Sequence, residues 1–69
     1  MEVRQRVARN IRRLRVEQGL SQEELADRAG LHRTYISGVE RAVRNPTITV
    51  LEKIAVGLGA PLAELVADS

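Results

Sequence analysis

The side chains able to do chemistry in this chain are mostly arginines and short polar residues. Arg33, Thr34, Ser37 and Arg41 recur at spacings that place them along one side of a helix, with no hydrophobe among them. An arginine at the start of such a row can grip O6 and N7 of guanine with two parallel hydrogen bonds. A threonine beside it can bond a base edge or touch a thymine methyl. Ser37 is in reach of a base, and Arg41, at the far end, suits a phosphate. Gln22 opens an earlier segment, where the free amides and positive dipole end of a helix N-terminus favour an anion. Arg44 and Asn45 follow the row just before Pro46, and an arginine in such a loop suits a DNA backbone or a minor groove electrostatically. Tyr35 has two readings: its ring packs at the domain edge with the hydroxyl on a phosphate, or it simply caps the core.

Enzyme chemistry has few candidates. With one histidine and no cysteine there is no zinc site, redox couple or thiol nucleophile. Gly57-Leu58-Gly59 is no phosphate loop, because no strand precedes it and no third glycine follows. The carboxylates are scattered among arginines. No catalytic, cofactor-binding or metal-binding residue is therefore expected. His32 precedes the third helical segment and is read as assisting its cap rather than as a pH switch.

The polar residues need elements to hold them. Gly19, Gly30, Pro46, Gly59 and Pro61 cut the 69 residues into five short segments. The first, about residues 2–18, carries Val3, Val7, Ile11 and Leu14 at helical spacing, and Gly19 stops it. The second opens on Ser21-Gln22-Glu23-Glu24, a capping box in which Ser21 and Glu24 satisfy each other's backbone amides. Leu25, Ala26 and Ala29 form its apolar face, and Gly30 ends it. The third, about residues 33–41, turns Ile36 and Val39 inward. The fourth follows Pro46 with Thr47 as N-cap and carries Ile48, Leu51, Ile54, Ala55 and Leu58 up to Gly59. The last is short, with Pro61 in its first turn and Leu65 buried. No segment alternates with period two, so five helices and no sheet are expected. Segments two and three are separated only by Gly30-Leu31-His32, a turn tight enough to force a steep crossing. Ala26 supplies the small side chain at that crossing and Gly30 the positive φ. Residues 22–41, QEELADRAGLHRTYISGVER, thus read as a helix-turn-helix.

Composition agrees with an all-α reading. Hydrophobic residues make up 43 % of the chain, yet there is no Phe or Trp and only one Tyr, so the core must be aliphatic. Net charge is +2, unevenly spread: residues 1–45 hold ten arginines against six acids, and residues 46–69 one lysine against three. A basic front and an acidic back suit a polyanionic partner on one side. The arginines of the first segment, mostly a solvated face, add a diffuse positive field. The longest uncharged stretch, Ile54 to Ala63, is about half the roughly 20 residues of a membrane span, and the N-terminus has no apolar signal core. A soluble, cytoplasmic chain forming one domain over 1–69 is expected.

The whole chain resembles the Cro and phage-repressor helix-turn-helix family, the XRE type, in IRRLRVEQGLSQEELA, TYISGVER and RNPTITVLEKIAVGLG. LHRTYISGVER followed by RNP is most similar to the controller proteins of restriction–modification systems. The resemblance implies a five-helix lambda-repressor-like fold and a cofactor-free bacterial regulator at the nucleoid that binds double-stranded operator DNA, with RNA polymerase as a candidate further partner. It also implies that Gln22 meets a phosphate, and that Arg15 pairs in the interior with Glu40. Ala42 stands where many relatives have Gly.

One recognition helix reads too few base pairs to single out a genomic site, which argues for a homodimer on a near-palindromic operator. Val50, Val56, Leu62 and Val66 exceed what one core needs and are the expected interface. The serious rival is an adaptor or antitoxin-like interaction module that keeps the fold without operator readout. Against it stands the polar, basic outer face of the third segment. A membrane-binding first helix is weaker, since its aliphatics are needed for the core and no Trp or Phe marks an interface.

Overall fold

The structure is a computed structural model that describes residues 2–68. It contains five helices and, among the described residues, no strand: α1 (Val3–Glu17), α2 (Gln22–Ala29), α3 (Arg33–Glu40), α4 (Ile48–Leu58) and α5 (Leu62–Val66). None is long and apolar enough to cross a membrane. Each helix contributes a fully buried aliphatic side chain: Ile11, Leu25, Ile36, Ile54 and Leu65. Val7, Leu14, Leu20, Val39, Leu51 and Leu58 close around them. At about 25 cal/mol per Å² of apolar surface, full burial of one such side chain is worth about 1.5–3 kcal/mol.

The helix ends follow the residues that cap them. The Ser21 hydroxyl accepts from the Glu24 amide (3.0 Å) and the Glu24 carboxylate from the Ser21 amide (2.8 Å), so the capping box is complete. The Ser21 backbone and hydroxyl bonds hold the Glu24 carboxyl below the usual carboxylate range. Because the folded pKa is the lower one, this cap contributes above the unfolded pKa and is lost as pH falls through the folded value. Gly19, Gly30 and Gly59 all take the left-handed conformation. Thr47 caps α4 through Val50 (3.2 Å). His32 occupies the N-cap of α3, but its side chain makes no capping bond, contrary to expectation.

Two stripe residues lie outside the core. Val3 is 52 % exposed, in the first turn of α1, and Ile48 is 71 % exposed. At 100° per residue, Ile48 sits roughly 70° from the centre of the Leu51–Ile54–Ala55–Leu58 stripe, which explains its exposure. The reverse case is Asn10, buried on the apolar side of α1. Its amide donates to the carbonyls of Leu65 (3.0 Å) and Ala67 (2.9 Å), tying the end of α5 to α1. It flanks the Val7–Ile11–Leu14 stripe, and nothing in the sequence singles it out.

Ala42 takes φ 61°, the left-handed region, where a glycine would meet no steric penalty. The turn needs it: the Val43 and Arg44 amides fold back onto the Gly38 carbonyl (3.0 and 3.2 Å). A left-handed alanine costs roughly 1–2 kcal/mol, part of which glycine forfeits to its freer unfolded chain. Ala42→Gly is expected to stabilise the protein by about 0.5–1 kcal/mol. A thermal melt checks this; an unchanged or lower Tm refutes the strain.

Candidate nucleic-acid interface

The α2–α3 unit is built as its sequence requires. Gly30 turns the chain at φ 69°, and the Leu31 amide returns to the Ala26 carbonyl (2.9 Å), closing the end of α2. Ala26, Ala29, Ile36 and Val39 are buried where the two helices meet. This fixes the outer face of α3. Arg33 and Thr34 are fully outside in its first turn, Ser37 is half-buried one turn on, and Arg41 caps the C-terminal end, exposed. The Arg41 Nε–H leans back toward the Ser37 carbonyl (3.4 Å). No large hydrophobe interrupts that face, so it presents guanidinium and hydroxyl groups alone.

Arg15 and Glu40 pair as the resemblance implies. Nε and Nη2 of Arg15 donate to the two Glu40 carboxylate oxygens at 2.7 and 2.9 Å, and Nη1 donates to the Leu20 carbonyl at 2.8 Å. Side-chain exposure is 13 % for Arg15 and 4 % for Glu40, so the pair is largely withdrawn from water. Gln22 joins it: its side-chain amide donates to Glu40 Oε1 at 3.1 Å. One buried carboxylate therefore binds α1, the start of α2 and the end of α3 together. It also holds the side-chain amide of Gln22, the first residue of α2, in place. Sequence reasoning did not anticipate this third member.

Tyr35 and Arg44 meet although nine positions separate them. The Arg44 guanidinium lies 5.6 Å from the centre of the Tyr35 ring, within cation–π range. The Tyr35 ring is half-buried against the core. Gly38 makes room for Arg44, because a Cβ there would stand 2.6 Å from Arg44 Cγ. The loop arginine is thus seated against α3. Asn45 also lines a shallow groove with Val3, Arg4, Val7, Pro46, Leu51 and Val66. Of the four aliphatics expected at an interface, Val50 and Leu62 are half-buried against their own core, while Val56 and Val66 are exposed, Val56 by 69 %. Among the described residues no group of three or more His, Cys, Asp or Glu is placed to hold a metal.

Residues 11–65 match the helix-turn-helix family. An uncharacterized HTH-type transcriptional regulator, y4dJ of Sinorhizobium fredii, is 46 % identical over 66 residues, spanning 96 % of this chain and 86 % of that protein. Control protein C.SmaI of Serratia marcescens is 43 % identical, covering 94 % and 77 %. The crystal structure of the restriction–modification controller protein C.AhdI from Aeromonas hydrophila superposes with a TM-score of 0.87 at 40 % identity, covering 90 % of each chain. The five-helix architecture, the α2–α3 unit and these similarities agree: the chain belongs to the helix-turn-helix family of the Cro and phage-repressor type.

Proposed function

We propose that this chain is a sequence-specific regulator of transcription that binds double-stranded operator DNA as a homodimer, in the manner of a restriction–modification controller. The observation that carries the reading is the outer face of α3: polar and basic from Arg33 to Arg41, and held at a fixed angle by α2. An adaptor that had lost DNA contact would have no use for such a face.

In this reading α3 enters the major groove. Arg33 reads a guanine edge, Thr34 and Ser37 contact neighbouring base edges, and Arg41 meets a phosphate. Gln22, aimed by Glu40, meets a phosphate at the N-terminus of α2. Arg44, seated on Gly38 and Tyr35, holds the backbone beside the groove, with Asn45 next to it. The one domain spans 1–69, needs no cofactor and works at the bacterial nucleoid. Val56 and Val66 lead the dimer contact, with Val50 and Leu62 beneath them.

A footprint or binding selection is expected to reveal a near-palindrome with half-sites about 34 Å apart or a multiple of it. Sedimentation at tens of micromolar is expected to show a dimer. Asymmetric sites together with a monomer, with and without operator, would sink the dimer.

The seat of Arg44 gives a sharper check. Gly38→Ala adds helix propensity worth about 0.5–1 kcal/mol but drives a methyl into Arg44. Arg44 is exposed and can swing away, so the melt should hold or improve while affinity for DNA falls several-fold. Wild-type affinity in this variant would mean that the Arg44 seat does not serve DNA.

A further inference from the structure

Beside the end of α3 lies a second basic feature that the α3 face does not include. A groove runs between α1 and the C-terminal end of α3, lined, beside Gln5, by Ala8, Arg9, Arg12, Glu40, Arg41 and Ala42. Ala8 and Ala42 leave it open, and three guanidinium groups edge it. Glu40 is the one carboxylate among these six, and both of its oxygens are already taken by Arg15 and Gln22. Elsewhere on α1, Arg4 and Arg13 have carboxylate neighbours, Glu2 at 3.3 Å and Glu17 at 3.5 Å. Arg12 and Arg41 have no carboxylate within ion-pair distance among the described residues.

We infer that this groove takes the sugar–phosphate backbone of the operator, with Arg9 and Arg12 joining Arg41 in a phosphate clamp that widens the footprint from the recognition helix onto α1. Continuity chooses the occupant. Arg41 belongs both to the groove and to the outer row of α3, so a strand followed away from the major groove along Arg41 passes next onto Arg12 and Arg9. Guanidinium also suits phosphate, whose oxygens it meets with paired donors. The clamp positions the duplex and reads no base. The inference rests on the DNA-binding reading above, and its test separates the two.

The experiment titrates the full chain and its Arg9→Gln/Arg12→Gln variant against operator and scrambled duplex over a salt series, with a thermal melt of each. The side chains are exposed, so the variant is expected to melt like wild type. Both affinities should fall by the same factor, about tenfold or more near physiological salt, and the salt slope should flatten by about two units. Arg9→Lys/Arg12→Lys, which keeps the charge, should recover most of the slope. Ethylation interference on the phosphates flanking each half-site should weaken in the Gln variant. Single Arg12→Gln, with about half the slope change, serves if the double variant melts early. A wild-type slope and affinity in the Gln variants overturns the clamp while the DNA reading stands. So does a loss confined to self-association, which would make the groove a seat for an acidic segment of a second copy. If wild type itself binds neither duplex, the DNA reading fails first and takes the clamp with it.

Discussion

Glu40→Ala is expected to leave a large fraction of the protein unfolded near physiological temperature. The substitution strands the Arg15 guanidinium, 13 % exposed, with only the Leu20 carbonyl for company. Breaking a buried pair by removing one partner costs about 3–5 kcal/mol. The lower end applies here, because Arg15 keeps one acceptor and some contact with water. A 69-residue domain has roughly 3–10 kcal/mol of stability in all, at about 0.05–0.15 kcal/mol per residue. The loss is therefore comparable with the whole. Denaturant titration should show a lower midpoint with an unchanged slope. Replacing both partners together, as in Arg15→Met with Glu40→Leu, should recover most of that loss, since no charge is then stranded. The double variant carries a second consequence: Gln22 loses the acceptor that aims it. A protein that folds well yet binds all duplexes more weakly would show that the ion pair serves the phosphate contact as well as the fold. If Glu40→Ala melts like wild type, the pair contributes nothing to stability.

That pair marks the border of what sequence reasoning reached. The helices themselves were readable from spacing, because apolar residues three and four apart can be buried together only on a helix. Their ends were readable as well, since Gly19, Gly30 and Gly59 all adopt the conformation that halts a helix. The outer row of α3 could be read because residues that face water need only be polar and regularly spaced. Partners across the fold were another matter. Glu40 was paired with Arg15 by resemblance, and nothing local in the sequence joins two residues on helices so far apart along the chain. Gln22 entered that network unannounced for the same reason. Asn10 gives no signal of its role, because a lone amide beside an apolar stripe has no local partner; its acceptors are the carbonyls of Leu65 and Ala67. The seat of Arg44 depends on a missing Cβ at Gly38 and a ring at Tyr35, and only the turn through Ala42 brings them together. Ile48 failed as a core residue because the stripe rule ignores where on the helix circumference the core is centred.

Arg33 should carry discrimination between sequences and Arg44 should not, and their positions say why. Arg33 stands exposed in the first turn of α3, the part of the helix that the proposed function places in the major groove. Arg44 stands beyond the helix, over the Tyr35 ring, where the proposed function gives it DNA backbone rather than base edges. Removing a bidentate guanine contact costs roughly 1–3 kcal/mol of discrimination. Arg33→Ala is therefore expected to weaken operator binding by about tenfold or more while random DNA is bound almost as before. Its salt slope should stay nearly constant, because no phosphate has lost its partner. Arg44→Ala should weaken operator and random DNA alike and flatten the slope by about one unit. It also gives up the stacking on Tyr35, worth about 0.5–1 kcal/mol at an exposed site, so its melt should fall slightly where that of Arg33→Ala does not. Two generic surface charges would instead produce the same small, salt-sensitive loss on both duplexes. Titration of both variants against operator and scrambled duplex at several salt concentrations separates these outcomes. Equal losses on the two duplexes for Arg33→Ala would remove it from base reading and leave Thr34 and Ser37 as the only candidates on that face.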